Sequence, residues 1–585
     1  PHAGASPHDT YFFRHPEEMI KGTIRPPVFL MANQVVIKRH IHSLILEKLQ
    51  HELPSHWMHD EDSRHAEDEY ADDEGDLVSQ EGILQPTRLA GIKQELGLRR
   101  QEIERAVEQA FMGEKQSLKW LNAVYVKACC DNFYPELLKG LEHWCERYLE
   151  IYKELERLAR KVILSKAEQR RQRQLFEARD NLLNRQEYRP LSYLAQVGVL
   201  PRYGFTDNLV AVRDDKERLV TQLASVAITE YALGNLVYVA GSKLLVNRVH
   251  FKHGAKDDPL KNAQIYKRCL HCSYTTPQPT AQECPYCHHF LVTQQFIDYE
   301  MVHGWASEAI TQEDEYRRHQ DYDLETYLSP LPENARQQED GQSSDGGKVV
   351  HRQLGRWKVH YSHLREITIF NRGKVDPHTG KVESFTVCLE CGSWIRQRSV
   401  QEEDEERAGY RSSSADHLNS CSARSDIESP HVQMVDLKVQ LQGDVVEIEV
   451  PPEIVARNNF EGWVETFQQA LKLGLQLELY IGPREIESFV ETFQEDGRER
   501  KTVVLYDTMP GGTGYLRKFF ENLPQITMRA LHHLQNDTCA TACYSCLKEF
   551  WNQRIHELLN KQLVYAELEE VAAEVGRDAE IQGLP

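Results

Sequence analysis

Cysteine spacing carries the strongest chemical signal in this 585-residue sequence. Cys269 and Cys272 are followed, eleven residues later, by Cys284 and Cys287. Two Cys-x2-Cys knuckles each offer two thiolates to a tetrahedral ion, with zinc–sulfur bonds of ~2.3 Å. The polar, proline-containing segment between them is a loop able to close such a site. With all four positions filled by protein, no place is left for an activated water, so the expected role is structural. His271, His288 and His289 read as bystanders. A second set pairs Cys388 and Cys391 with His417 and Cys421, and the hydrophilic stretch between the halves, Gln401–Glu406, is free to loop out. Three thiolates and one imidazole again predict closed structural zinc.

Cys539, Cys543 and Cys546 offer only three thiolates. The fourth ligand is Asp537, a nearby histidine (His532 or His533), or His556 one helix later. Three protein ligands plus water would instead make a catalytic site of a metal-dependent hydrolase. No general base is fixed beside the triplet, which favours structure over chemistry.

Two further features point to phosphate. Between Arg157 and Arg173 stand seven basic residues, Arg157, Arg160, Lys161, Lys166, Arg170, Arg171 and Arg173, against one acid, Glu168. Such a segment is either a solvated helix face or a contact for a nucleic-acid backbone or partner. The turn Pro510-Gly511-Gly512-Thr513-Gly514 follows the apolar run Val503–Tyr506 and precedes a helix. Backbone N–H groups of Gly511 and Gly512 there could gather around a DNA phosphate, or the glycines could serve only a tight turn. The lysine and hydroxyl of a nucleotide-binding P-loop are missing, no Walker A pattern occurs anywhere, and neither Gly-x-Ser-x-Gly nor His-Glu-x-x-His is present. Asp444, Glu447 and Glu449 read as alternation on an exposed strand face. The chain by itself is not expected to hydrolyse ATP.

The elements that must position these residues follow from periodicity. Val36, Ile37, His40, Ile41, Leu44 and Ile45 make one apolar helix face. Ile151, Leu155, Leu158 and Val162 form a packing stripe in a helical stretch running from about 89 to 185. Val226–Tyr231, Leu236–Val239 and Lys243–Val249 read as strands joined by glycine turns. Beyond 432 the pattern becomes α/β: strand Val445–Val450, helix Trp463–Leu473, strand Leu477–Ile481, helix Glu485–Phe493, strand Val503–Tyr506. The expected architecture is multidomain α+β, with a helical block, small β modules carrying zinc ribbons, and a C-terminal α/β zinc-binding domain. Its parts are a strap and helix (1–50), an acidic mobile loop (51–88), the helical domain (89–206), a β module with the first ribbon (207–310), a polar linker (311–349), a β module with the second site (350–430) and the C-terminal domain (431–585).

Composition bounds the rest. Net charge is -21, which argues against a surface coated for DNA. The acids are concentrated: eleven Asp/Glu lie between Glu52 and Asp76 against Arg64 alone. No apolar run reaches the ~18–20 residues of a membrane span. The first residues are not a secretory signal, and clustered cysteines without one read as metal ligands in a reducing, cytoplasmic setting. The absence of an opening methionine suggests a processed, split or truncated chain.

Several stretches carry a family resemblance. Pro7-His8-Asp9-Thr10-Tyr11-Phe12-Phe13-Arg14-His15-Pro16-Glu17-Glu18-Met19-Ile20 resembles the segment just past the last motor motif in MrfA-like superfamily 2 DNA helicases. Leu191–Ala195 with Gly198–Phe205 is similar to a segment of their accessory region. Leu505-Tyr506-Asp507, Pro510-Gly511-Gly512, Ala542-Cys543-Tyr544-Ser545-Cys546-Leu547, Asn552-Gln553 and His556 resemble their zinc-binding C-terminal domain. Relatives there carry a C-x-C-x3-C-x2-C set, and Asp537 stands at the first position. The resemblance implies zinc as cofactor, DNA as partner, an upstream helicase motor in the same protein or complex, and a role in DNA repair or in antiphage defence of the Druantia or DISARM type, with a possible defence-system partner subunit. The alternative is a zinc-stapled scaffold that touches no DNA.

Overall fold

The computed structural model describes residues 6–21, 34–49, 53, 57, 84, 86–111, 121–184, 188–201, 209–214, 219–239, 241–251, 258–269, 274–276, 278, 280–285, 287–299, 301–309, 321–328, 349–376, 379–395, 417–418, 421–425, 430–495, 498–509 and 512–574. The chain is a multidomain α+β protein with separate helical and sheet-based cores.

Helices Gln34–Lys48, Pro86–Leu98, Arg100–Ala110, Ala123–Ala159 and Lys166–Asn184 bury one face each around Ile41, Ile45, Phe133, Leu137, Leu141 and Trp144. Asn122 starts the longest of them by accepting from the amides of Val124 and Tyr125, satisfying two donors that have no intrahelical partner. The stripe Ile151, Leu155, Leu158 is buried as its spacing requires, but Val162 lies beyond the helix end and is 99% exposed. Of the segment read as an acidic loop, Leu53, Trp57 and Leu84 join this core, and Trp57 stacks on Trp144 at 4.0 Å. One aromatic in a polar run is enough to anchor it, because ring burial outweighs the polarity of its neighbours. Pro86, Thr87 and Arg88 of that segment begin the helix Pro86–Leu98, and its other residues lie outside the described ones.

The second core is β. Strands β1 (Leu209–Asp214), β2 (Leu219–Leu223), β3 (Leu236–Val239), β4 (Ser242–Val249) and β8 (Met301–Ala309) form a five-stranded sheet in the order β2-β1-β8-β4-β3. The run expected as a strand at Val226–Tyr231 is instead the helix Ala224–Glu230. Ala224, Ala227 and Ile228 recur at helical spacing and are buried against the sheets, so tertiary packing overrides β-propensity.

An eleven-stranded sheet takes in β5 (Gln264–Cys269), β6 (Thr275–Thr276), β7 (Leu291–Asp298), β9 (Tyr322–Leu328), β10 (Val349–Leu354), β11 (Trp357–Val375), β12 (Val382–Glu383), β13 (Phe385–Cys388), β14 (Val432–Glu449), β15 (Ile486–Glu495) and β16 (Arg498–Asp507), counting β13, which pairs on β14. It crosses the expected boundaries at 310, 350 and 431. β11 pairs with β14, β14 with β16 and, in parallel, with β7. Linker composition located breaks in the sequence, whereas pairing joined strands across them. Glu485–Phe493, expected as a helix, belongs to β15, held by its antiparallel ladder with β16. Leu477–Ile481, expected as a strand, is mostly the end of helix Phe460–Leu479, which stops where Tyr480 turns left-handed at φ 58°.

That helix buries Trp463, Phe467 and Leu471, and helix Leu523–Asn536 packs against it, with Ile526 and Ala530 close to Gly474. The opening segment does not form one unit through residue 50. Helix Pro7–Arg14 inserts Phe12 into the C-terminal core, and Arg529 donates to both Tyr11 and Glu18, whereas Gln34–Lys48 belongs to the helical block.

Candidate metal centres

Three groups of metal-ligating side chains are assembled among the described residues: Cys269, Cys284 and Cys287; Cys388, Cys391, His417 and Cys421; and Asp537, Cys539, Cys543 and Cys546. In each group the ligand atoms lie within 4.8 Å of one another. Thiolates at ~2.3 Å from a tetrahedral ion stand ~3.8 Å apart, and the sulfur pairs approach that spacing. Cys269 and Cys287 are 3.3 Å apart, Cys388 and Cys421 3.7 Å, and Cys539 and Cys546 3.6 Å. Soft, thiolate-rich donor sets of this kind fit zinc.

In the first group Cys269 ends β5 and sits opposite Leu291 of β7. Its amide donates to Tyr274, and the amide of Cys284 to His289, the tight turns that bring knuckle sulfurs inward. Cys272 lies outside the described residues. His288 and His289 are exposed and bonded to Glu283 and the Cys287 carbonyl.

In the second group β13 ends on Cys388, and the amide of Gly392 closes the knuckle onto the Cys388 carbonyl at 2.7 Å. The His417 Nδ1 stands 3.6 Å from the sulfurs of both Cys391 and Cys421. A residue the sequence did not single out ties the halves together. Glu390 accepts from the amide and hydroxyl of Ser422, beside Cys421, at 2.8 and 2.6 Å. Burial pushes its carboxyl up, but these bonds and His431 bring it down to about 2.

In the third group Asp537 is the residue that stands with the three thiols. The Asp537 carboxylate lies 3.5 Å from the Cys543 sulfur. His533 is engaged with the Ser545 carbonyl, His532 with Asn536, and His556 with Asn552. Lys561, nearly buried, donates to the carbonyls of Leu534 and Asp537 and balances part of the cluster's charge. Neither Glu390 nor Lys561 stands out in sequence, since each is one polar residue among many.

The glycine turn presents acids. Asp507, wholly buried, accepts from the amides of Met509 and Thr513 and the Thr513 hydroxyl. Gly512 has φ 78°, and a Cβ there would stand 2.8 Å from the Asp444 carboxyl carbon. Gly511 lies outside the described residues. The Gly512 amide, read as part of a phosphate cradle, donates instead to the Met509 carbonyl, and the turn folds around two carboxyls. Asp444 is not on an exposed face: it is fully buried and bonded to Tyr361 and His363.

Burial lifts the Asp507 carboxyl to about 7, against the hydrogen bonds that lower it and with Asp444 adding to the rise. A carboxyl whose folded pKa is raised contributes stability that is full below pH ~4 and is lost as pH rises through about 7. Asp507→Asn is therefore expected to flatten the fall in urea midpoint between pH 5 and pH 8. An unchanged slope would show the group does not titrate there.

The basic helices are largely ion-paired. Arg160 meets Glu156 at 2.5 Å, Arg171 meets Glu154 at 3.0 Å, Lys161 meets Glu168, and Arg157 lies 3.9 Å from Glu154. Two of those glutamates precede the basic window, which is why the sequence count missed them. Arg173 is exposed, and the side chains of Lys166 and Arg170 are not described. Among the described residues no helix is long and apolar enough to cross a membrane.

Residues 467–547 match the family model described as MrfA Zn-binding domain, a span that contains the third group. This match and the donor sets identify zinc as the metal. The chain is 23% identical over 603 residues to the Druantia protein DruE of Escherichia coli strain UMEA 4076-1, covering 95% of this chain and 30% of that protein. It is 32% identical over 84 residues to an uncharacterized protein of Methanocaldococcus jannaschii, covering 14% of this chain and 75% of that one. Crystal structures of the DUF1998 helicase MrfA also align. The DNA-bound form does so with TM-score 0.30 and 12% identity over 65% of this chain and 39% of that one, and the form without DNA in its title with TM-score 0.26 and 10% identity over 60% and 36%.

Proposed function

We propose, for a chain that belongs to the proteins carrying the MrfA Zn-binding domain, the role of accessory C-terminal region of an ATP-dependent DNA helicase or translocase. The observation that carries this reading is the Asp537–Cys546 cluster lying inside the matched span 467–547. The near end-to-end alignment with a Druantia protein supports antiphage defence over DNA repair. This chain spans less than a third of that relative's length, so the motor is assigned to the same protein or to a cytoplasmic complex containing it. The zinc sites keep small loop-bearing modules folded, since metal binding adds folding free energy where an apolar core is small. Arg157, Arg160, Lys161, Lys166, Arg170, Arg171 and Arg173 serve as backbone contacts for DNA leaving the motor.

The test is a titration of this chain with DNA at several salt concentrations. Neutralising Z phosphates gives a slope of about -0.9Z in log K against log salt on duplex, or about -0.7Z on single strands. A slope near zero, or no binding at ~50 mM salt, would remove the DNA role. A second reading, a zinc-stapled scaffold without DNA contact, is favoured by the ion pairs that occupy Arg160, Lys161 and Arg171. That scaffold would capture its partner equally well after DNase treatment.

A further inference from the structure

Two histidines outside the cysteine clusters face each other on one side of the large sheet. His351 of β10 is the register partner of His360 of β11. Partners in a ladder project to the same face, so the two rings stand side by side. Their centroids are 4.7 Å apart, the rings are nearly perpendicular at 79°, and the two Nδ1 atoms point at each other at 2.5 Å. The neighbouring residues Val350, Val359 and Tyr361 point the other way, into the C-terminal core, which fixes both strands beneath the pair.

A carboxylate decides which nitrogen of His360 carries the hydrogen. Glu449 of β14 lies 3.1 Å from the His360 Nε2, and its other oxygen is held by Arg500 at 2.7 Å. Burial pushes the Glu449 carboxyl up, but the His360 bond, Arg500 and Lys358 bring it down to about 2. At neutral pH it is therefore ionised and can only accept. The His360 Nε2 must donate to it, which leaves the Nδ1 of the neutral ring as a lone pair aimed at His351. An outer carboxylate on one ring nitrogen is the arrangement that orients metal-ligating histidines, fixing the tautomer and raising the basicity of the inner nitrogen. Arg500 occupies the second Glu449 oxygen and so keeps the carboxylate in that outer place. Metal–nitrogen bonds of ~2.0–2.1 Å put two nitrogens of a tetrahedral ion ~3.3 Å apart. His351 is exposed, so a small rotation of its ring reaches that spacing. Without a cation, a hydrogen on the His351 Nδ1 fills the same gap. Two imidazole donors suit zinc, nickel or copper(II), with water at the remaining positions, in contrast to the thiolate-rich sets elsewhere in the chain.

We infer that His351 and His360 form a site for an exchangeable first-row divalent metal ion, bound through both Nδ1 atoms, with Glu449 as the carboxylate that orients His360. The ion ties β10 to β11 on the face away from the core and stabilises the chain according to its occupancy. The site stands independently of the proposed DNA role and of the three cysteine clusters.

The test is calorimetric titration and equilibrium dialysis of the zinc-loaded, tag-free whole chain with nickel(II), with both metals counted by elemental analysis. The variants are His351→Ala, His351→Asn, His360→Ala, Glu449→Gln and the exposed control His40→Ala. Wild type is expected to take up one nickel ion per chain with its zinc unchanged, and to melt at a higher temperature with nickel than without. His351→Ala and His360→Ala each abolish the uptake and the rise in melting temperature. Glu449→Gln weakens nickel binding about tenfold, and His40→Ala changes nothing. Zinc content and metal-free melting temperature equal to wild type establish that each variant is folded, and His351→Asn supplies the reading should the alanine variant misfold. Nickel uptake absent from wild type, matched by loss of zinc, or retained in the His351 and His360 variants overturns the site, and the pair is then a hydrogen bond and nothing more. Uptake lost in both histidine variants but unchanged in Glu449→Gln overturns the orienting role of the carboxylate.

Discussion

Cys388→Ser is expected to lower the zinc content of the purified chain by one ion from an expected three, and to loosen the module that the second cluster holds. Cys388 is wholly buried, sits at the end of β13, and shares its cluster with Cys391, His417 and Cys421. A serine hydroxyl is a poor zinc ligand, and the Glu390–Ser422 bonds are among the few other ties between the knuckle and the His417 and Cys421 half among the described residues. Structural zinc in small peptides contributes about 10–16 kcal/mol at neutral pH, so losing it outweighs the cavity and hydrogen-bond changes of the substitution itself. Elemental analysis with limited proteolysis around residues 396–431 reads both effects. Cys145→Ser, a buried thiol of the helical block outside every cluster, is the control and should retain all zinc. If Cys388→Ser keeps the full complement, the second group is not a metal site.

Gly392→Ala is expected to destabilise the same knuckle by at least about 3 kcal/mol without touching a ligand. Gly392 has φ 76°, which costs an L-residue about 1–2 kcal/mol. An added Cβ would also stand 1.9 Å from the Val249 carbonyl oxygen of β4. That contact is where the knuckle seats on the five-stranded sheet: Val249 donates to the Gly392 carbonyl and Trp394 to that of Asn247, both at 2.8 Å. Backbone cannot swing aside as a side chain can, so the seat must open. Gly241→Ala separates the two causes, because Gly241 has φ 78° but nothing within 4 Å of the added carbon. It should cost about 1–2 kcal/mol, the conformational part alone. Equal losses for the two variants, read by denaturant titration and zinc retention, would mean the close approach does not matter.

Legibility differed by the range of the interaction. The cysteine groups were visible because a knuckle is local: Cys388 and Cys391, or Cys543 and Cys546, are brought together by one turn whatever surrounds them. The long helices were visible because their apolar spacing repeats over many turns, and Val162 was misplaced only where the repeat ran past the helix end. Glu485–Phe493 failed because Phe489, Val490 and Phe493 fall at helical spacing by chance, and only the partner strand β16 decides between the two periods.

What the sequence by itself determined about this protein is its metal chemistry and its α+β class, because thiol spacing and apolar periodicity act within a few residues. The tertiary structure alone decided that Asp537 stands with the three thiols while the histidines turn elsewhere, that Asp444 and Asp507 are buried at the glycine turn, and that one sheet runs through three expected modules. It alone also brought Glu449 against His360. Each of these depends on strands from distant parts of the chain meeting in register, and a pairing of that kind leaves no local mark, since its free energy is shared between two segments and stored in neither.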